Sequence, residues 1–266
     1  MTMSSAIRNL FLGGSFLMLL FGCGTLPNGR GWGEDATLSP GLSRMRAAAL
    51  QAIESPSTWI PVTGAAVFSL DHWDRHVSNW ASERTPLFGS RDTAEKASNY
   101  LLDTSIAGAA LTALATPSGS DPASKLKGLG VEGSAGAATA ALTELLKIGV
   151  GRERPDGSNA NSFPSGHSSG AFAAAAVAEE NVESLPLSNV ERISLRTGFV
   201  VLASGTAWAR VEAKKHFPTD VLAGAALGNF VSLFIHNAFL GLDENAIDFS
   251  VLPGRNGGTF AIDVMF

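Results

Sequence analysis

Six long apolar stretches, rich in Ala, Leu and Gly and lacking strict alternation, confine this chain to a helical architecture. They occupy residues 59–70, 101–116, 134–150, 168–182, 192–211 and 219–240, and their Ala and Leu content favours helix over strand. Polar, turn-forming connections at 117–123 and 183–189 separate neighbours. Asp103, Glu144, Glu179 and Arg196 interrupt the runs, and only the last approaches the ~20 apolar residues of a membrane span. The pattern predicts an all-α, globular helical bundle, with a bundle partly sunk in a bilayer as the alternative. A chain of 266 residues can close one such core without disulfides, and its single cysteine, Cys23, cannot form one internally.

The two ends read differently. Residues 1–22 have the form of an export signal: Arg8, an apolar run over 10–21 that is too short to span comfortably, and Gly22 before Cys23. Leu20-Phe21-Gly22-Cys23 resembles the lipobox of bacterial lipoproteins. That resemblance implies lipidation at Cys23, and Gly24, where Asp would favour the inner membrane, points to the outer membrane. An ordinary signal peptide or an uncleaved anchor is the other reading. Residues 23–57 are expected to be a tether with a short helix at 42–53, closed by Pro56. From 241 to 266 the period becomes two. Ile247, Phe249 and Val251 alternate with Asp248 and Ser250, residues 254–258 supply turn chemistry, and Phe260, Ile262, Val264 and Phe266 resume. This predicts a C-terminal β-hairpin with one apolar face, lying on the bundle as a lid.

With 24 acidic and 19 basic side chains the net charge is -5, which argues against a nucleic-acid partner. Three clusters of cations and histidines stand out against that background: Lys147 with Arg154-Pro155, then Pro164-Ser165-Gly166-His167, then Arg210 with His216 and Asp220. A phosphate ester repels a nucleophile until its oxygens are surrounded by cationic donors, which Lys147, Arg154 and Arg210 can supply. Ser165, Gly166 and His167 stand where a helix is expected to begin, and a helix N-terminus offers unpaired N–H groups to an anion. A protonated His167 beside that anion could donate to a leaving oxygen. Thr219 is expected to cap the last helix, putting Asp220 in its first turn. There Asp220 could bond one ring nitrogen of His216 and free the other to attack phosphorus. No carboxylate–histidine cluster at metal spacing and no P-loop is present near these residues, so the expected chemistry needs neither metal nor cofactor.

Together the clusters resemble the signature of the type 2 phosphatidic acid phosphatase (PAP2) superfamily, which includes bacterial class A acid phosphatases and vanadium haloperoxidases. Lys147-x6-Arg154-Pro155, Pro164-Ser165-Gly166-His167 and Arg210-x5-His216-x3-Asp220 match its three motifs in order. The resemblance implies a catalytic helical domain at 58–240 of the PAP2 and vanadium haloperoxidase type. It implies Lys147, Arg154, Ser165, Gly166 and Arg210 as phosphate ligands, His167 as general acid, His216 as nucleophile and Asp220 as its partner. Ala209 departs from the pattern, where a Ser is usual, and the link from Pro155 to Pro164 is short.

The expected activity is metal-independent hydrolysis of a phosphate monoester or pyrophosphate, of a lipid or a small molecule, through a phosphohistidine. An acid phosphatase on soluble monoesters, a vanadium-dependent haloperoxidase and an inactive anion-binding lipoprotein are the alternatives. Arg152, Lys214 and Lys215 read as solvated charges that raise the local potential. His72 and His76 share a helical spacing but lack a third ligand, which suits a surface patch better than a metal site. His236 reads as a satisfied core or interface histidine, and Trp59, Trp73 and Trp80 as core or interface anchors.

Overall fold

The structure, a computed structural model, describes residues 24–241, 247–254 and 257–264. Cys23 and the export segment lie outside the described residues. Among those described, eight α-helices follow in order: α1 (Gly41–Glu54), α2 (Pro56–Phe68), α3 (Trp73–Arg84), α4 (Arg91–Ala115), α5 (Pro122–Val150), α6 (Gly166–Glu183), α7 (Asn189–Glu212) and α8 (Pro218–Ile235). A π-helical turn, His236–Leu240, continues α8. Two antiparallel strands, β1 (Ile247–Gly254) and β2 (Gly257–Val264), follow, with Ile247 opposite Val264. The turn at 255–256 and the apolar face and lid position expected of a hairpin lie outside the described residues.

Helix α8 is the axis of the bundle, packing against α1, α2, α5 and α6, while α4, α6 and α7 pack on one another. It is the one described helix long and apolar enough to cross a membrane by composition, and just over half of that stretch is buried inside the protein. The core it shares with α6 is made of small side chains. Ala171, Ala173, Ala174, Ala175, Ala176 and Ala178 of α6 are all buried, so the two backbones approach closely. Gly224 and Gly228 of α8 complete that approach: a Cβ at 224 would lie 2.6 Å from the Ser165 carbonyl oxygen and one at 228 only 2.2 Å from that of Ser169. Across the same seam Ser168 Oγ donates to the Val221 carbonyl (2.5 Å) and Ser165 N–H to that of Asp220 (2.9 Å). The starts of α6 and α8 are thereby fixed against each other.

Three features depart from the expectations. Helix α3 lies in a stretch without an apolar run, because its buried face is Asp74, Ser78, Ala81 and Ser82, small or polar at every position. Helix α4 begins ten residues before the apolar stretch at 101, capped by Ser90 Oγ, which accepts from Thr93 N–H (3.1 Å). The stretch preceding α1 is not a loose tether: Trp32 is 2% exposed, packs over Gly128 of α5, and stacks with the Lys125 ammonium 4.9 Å from its ring centre.

Because Gly228 has no room for a methyl group, Gly228→Ala should lower unfolding free energy by ~1–3 kcal/mol despite its better helix propensity. Gly133→Ala, whose Cβ would meet nothing within 4 Å, should instead raise it by roughly 0.5–1 kcal/mol. Denaturant unfolding of both variants checks this, and equal shifts of the same sign would refute close packing of α6 on α8.

Candidate active site

Five elements converge at one end of the bundle. Lys147 lies in the last turn of α5, the following loop carries Arg154, Ser165 caps α6 and Gly166 opens it, Arg210 lies in the last turn of α7, and the turn before α8 holds His216. The C-terminal turn of α7 folds back on itself, with the Lys215 and His216 amides donating to the Arg210 carbonyl (3.1 and 3.3 Å), which brings His216 beneath the guanidinium end of α7. Lys147 is largely buried, bonds Glu144 Oε1 (2.6 Å), and reaches over Gly166, where a Cβ would sit 3.2 Å from its Nζ. A side chain at 166 would thus crowd the ammonium. Ser165 is fully buried, and its Oγ caps α6 by accepting from Ser168 N–H (3.4 Å).

Arg210 is 4% exposed, and burial pulls it down to about 10, which leaves it cationic at neutral pH. Its Nη1 donates to Ser98 Oγ of α4 (3.2 Å). The Nε groups of both Arg154 and Arg210 are buried without a hydrogen-bond partner. Two orphaned guanidinium donors in a shielded place are expensive unless an anion meets them. A phosphate group has the charge and the acceptor oxygens to do so.

Both histidines sit in this field. His167 Nε2 lies 2.7 Å from Asn99 Oδ1; an amide oxygen only accepts, so Nε2 carries the proton and Nδ1 remains for another partner. Burial, then the charges of Arg210, His216, Lys147 and Arg154, press His167 down to about 4. His216 is 1% exposed and is also held below the usual imidazole value, mainly by burial and partly offset by Asp220. Its Nδ1 donates to the Ser162 carbonyl (2.7 Å), so Nε2 keeps the lone pair.

Asp220 does not make the bond expected of it. Its Oδ2 lies 3.8 Å from His216 Nδ1, because that oxygen already accepts from Ser162 Oγ (2.5 Å) and Phe217 N–H (2.8 Å). Ser162, with a side chain bound to Asp220 and a carbonyl bound to His216, stands between them. Phe217 rather than Thr219 is the N-cap of α8, with Pro218 first in the helix. Arg152 is not a solvated charge: Nη2 pairs with Asp74 (2.5 Å), Nη1 with Asp220 Oδ1 (2.7 Å), and the guanidinium lies 4.2 Å from the Phe217 ring centre. Lys215 is paired too, with Asp156 (3.1 Å) and Glu95 (3.6 Å). Lys214 occupies a left-handed turn position. A cavity of about 390 Å³ is lined by Arg152, Arg154, Phe217, Arg75 and Asn79.

The remaining candidates lie elsewhere. His72 and His76 are both exposed, with His72 left-handed at the cap of α3 and not on the helix face. Among the described residues no three His, Cys, Asp or Glu side chains gather as a metal site would require. His236 is in the core but not satisfied: Nδ1 has no hydrogen-bond partner, Glu132 is 4.0 Å away, and burial lowers the ring to about 4. Trp59, Trp73 and Trp80 are each about half exposed. The sequence reading missed Ser98, Asn99, Asp74 and Ser162. The first three lie on helical stretches without an apolar period, and Ser162 acts through a backbone carbonyl and a hydroxyl whose partners are more than 50 residues away.

Residues 133–242 match the PAP2 superfamily. Over 86 residues, 32% of this chain, the sequence is 42% identical to the lipid A 1-phosphatase of Porphyromonas gingivalis, and the match spans 18% of that protein's length. A solved structure, the transmembrane PAP2 type phosphatidylglycerolphosphate phosphatase from Bacillus subtilis, aligns with 76% of this chain and 96% of its own at 22% identity and a TM-score of 0.48. Lys147, Arg154, Ser165, Gly166, His167, Arg210, His216 and Asp220 all fall within the matched stretch, and the chain carries a PAP2 superfamily domain at residues 133–242.

Proposed function

We propose that this protein is a phosphatase that cleaves a phosphate monoester or pyrophosphate, on a lipid, with His216 as nucleophile. The observation that carries the reading is the fixed ring of His216. With Nδ1–H held by the Ser162 carbonyl, the Nε2 lone pair is the reactive position beside Arg154, Arg210 and His167. Nε2 forms a bond to phosphorus as the P–O bond to the leaving group breaks, and the departing oxygen takes a proton from His167. Water then attacks phosphorus, losing a proton to His167 as the P–N bond breaks, and orthophosphate and neutral His216 are released. Lys147, Arg154 and Arg210 hold the phosphoryl oxygens through both steps, supplying charge that many phosphatases take from metal ions. The lipid A 1-phosphatase similarity supports a lipid phosphate as substrate. The lipobox-like segment ending at Cys23 supports attachment in a bacterial envelope, on the periplasmic side of the outer membrane.

His167 is neutral above about pH 4 while the cradle is empty. Burial, the largest cause of that depression, persists on binding, but a bound phosphate anion offsets the cations that add to it and so shifts the ring toward protonation. His216, depressed as well, keeps its lone pair below the ordinary value of 6.5. The rate kcat/KM should therefore be bell-shaped, rising as the coupled site frees a nucleophile and falling as it loses its acid, with both limbs below pH 6.5. His167→Asn should remove the falling limb relative to wild type, substrate titration being common to both. A wild-type maximum at pH 8 or above would contradict the assignment.

Orthophosphate release from a detergent-dispersed lipid phosphate, with chelator present, tests the reading as a whole. His216→Ala should reduce it by about 10³-fold or more. Undiminished release in that variant would remove His216 as nucleophile, and loss of release on chelation would remove metal independence. Release from a soluble monoester but not the lipid would reassign the substrate.

A further inference from the structure

Asp74, Arg152 and Thr219 form a bonded cluster behind His216 that the reaction written above does not use. Asp74 is 7% exposed although it is a carboxylate. Its Oδ1 accepts from Thr219 N–H (2.8 Å), and its Oδ2 from Thr219 Oγ (2.7 Å) and Arg152 Nη2 (2.5 Å). Arg152 Nη1 in turn donates to Thr219 Oγ (2.6 Å) and Asp220 Oδ1 (2.7 Å). Asp220 is fully buried, and its other oxygen holds Ser162, whose carbonyl holds His216 Nδ1. The bonds run without a gap from α3 to the ring of His216.

Two consequences follow from charge and geometry. A buried carboxylate 3.8 Å from an imidazole would draw a proton onto that ring unless a cation met it. Arg152 meets it, occupying Asp220 Oδ1 in a part-buried ion pair. Second, a guanidinium places its charge accurately only when its planar fork is held at more than one point. Asp74 on one side and the Phe217 ring, 4.2 Å from Arg152 Cζ, on the other hold this one. From these contacts we infer that Arg152, anchored by Asp74, is a positioning residue that keeps Asp220 on Ser162 and so keeps His216 neutral with Nε2 toward the substrate. This rests on the proposed nucleophilic role of His216. Besides Asp220, the charged and titratable groups facing that ring are Arg154 of the loop, His167 of α6 and Arg210 of α7, and the substitutions below leave all of them in place.

The test uses the full chain, ¹⁵N-labelled at histidine, as wild type, Arg152→Met, Arg152→Lys and Asp74→Asn. His216→Ala identifies the His216 signal among the five histidines. Imidazole ¹⁵N shifts read tautomer and titration without any need for turnover. Wild type should show His216 as the Nδ1–H tautomer. Arg152→Met should raise the pH at which His216 protonates, and Arg152→Lys, which keeps the charge, should restore part of the difference. In steady-state kinetics Arg152→Met and Asp74→Asn should lower kcat by about 10–100-fold, the range for partners that orient a reactive group from behind, with KM changed less than about threefold. An unchanged His216 spectrum in Arg152→Met would overturn the proposal, as would an Asp74→Asn variant that loses only thermal stability. A wild type that shows the predicted spectra but hydrolyses no phosphate ester or pyrophosphate would overturn the catalytic reading and leave the positioning intact.

Discussion

The site depends on how closely two helix starts can be brought together. Gly224 and Gly228 let α8 touch the backbone of α6, and two bonds, Ser168 Oγ to the Val221 carbonyl and Ser165 N–H to the Asp220 carbonyl, fix the register of that contact. Ser165 and Gly166 open α6, while His216, Phe217 and Asp220 surround the start of α8. One backbone seam thus places the proposed anion-binding turn and the proposed nucleophile relative to each other. The buried alanines of α6 keep the seam close, because small side chains leave no bulk to push the helices apart.

Around that seam the chain gathers positive charge that its overall composition lacks. Lys147, Arg154 and Arg210 come from the ends of two helices and the loop between α5 and α6, and they are close enough to add to the burial that holds His167 down to about 4. Concentrating cations in a shielded place is unfavourable without an anion, and the two orphaned Nε donors mark where the deficit lies. Glu144 bonds Lys147 from its exposed side, and the other carboxylates named at the site are committed elsewhere. Asp220 and Asp74 face Arg152, while Asp156 and Glu95 face Lys215. Negative charge is thus kept behind and beside the cradle.

The apolar runs were enough to place the long helices, even α2 and α5, where many of the large apolar side chains are exposed and the buried positions are largely small or polar, and the motif spacings pointed to Lys147, Arg154, Arg210, His167 and His216, which the fold brings to one end of the bundle. Helix α3 was not legible, since a buried face of Asp74, Ser78, Ala81 and Ser82 has no apolar period to detect. The polar first turns of α4, which bring Ser98 and Asn99 to the site, were hidden in the same way. Asp220 was recognised, but its partner was not. Four residues of separation suggested a direct bond to His216, whereas Ser162, 58 residues before Asp220, takes that oxygen instead. Arg152 illustrates the same limit, as its partner Asp74 lies 78 residues away. Spacing reveals what is local, and a part-buried ion pair between distant segments leaves no local trace.

The central claim is a double displacement at phosphorus through His216. The stereochemical course of hydrolysis, read with a thiophosphate substrate made chiral by sulfur and two oxygen isotopes and cleaved in water carrying the third, tests it without requiring an intermediate to accumulate. Two successive in-line displacements predict retention of configuration in the released thiophosphate. Inversion would mean that water attacks directly, and would contradict the account whatever the effect of His216→Ala on rate.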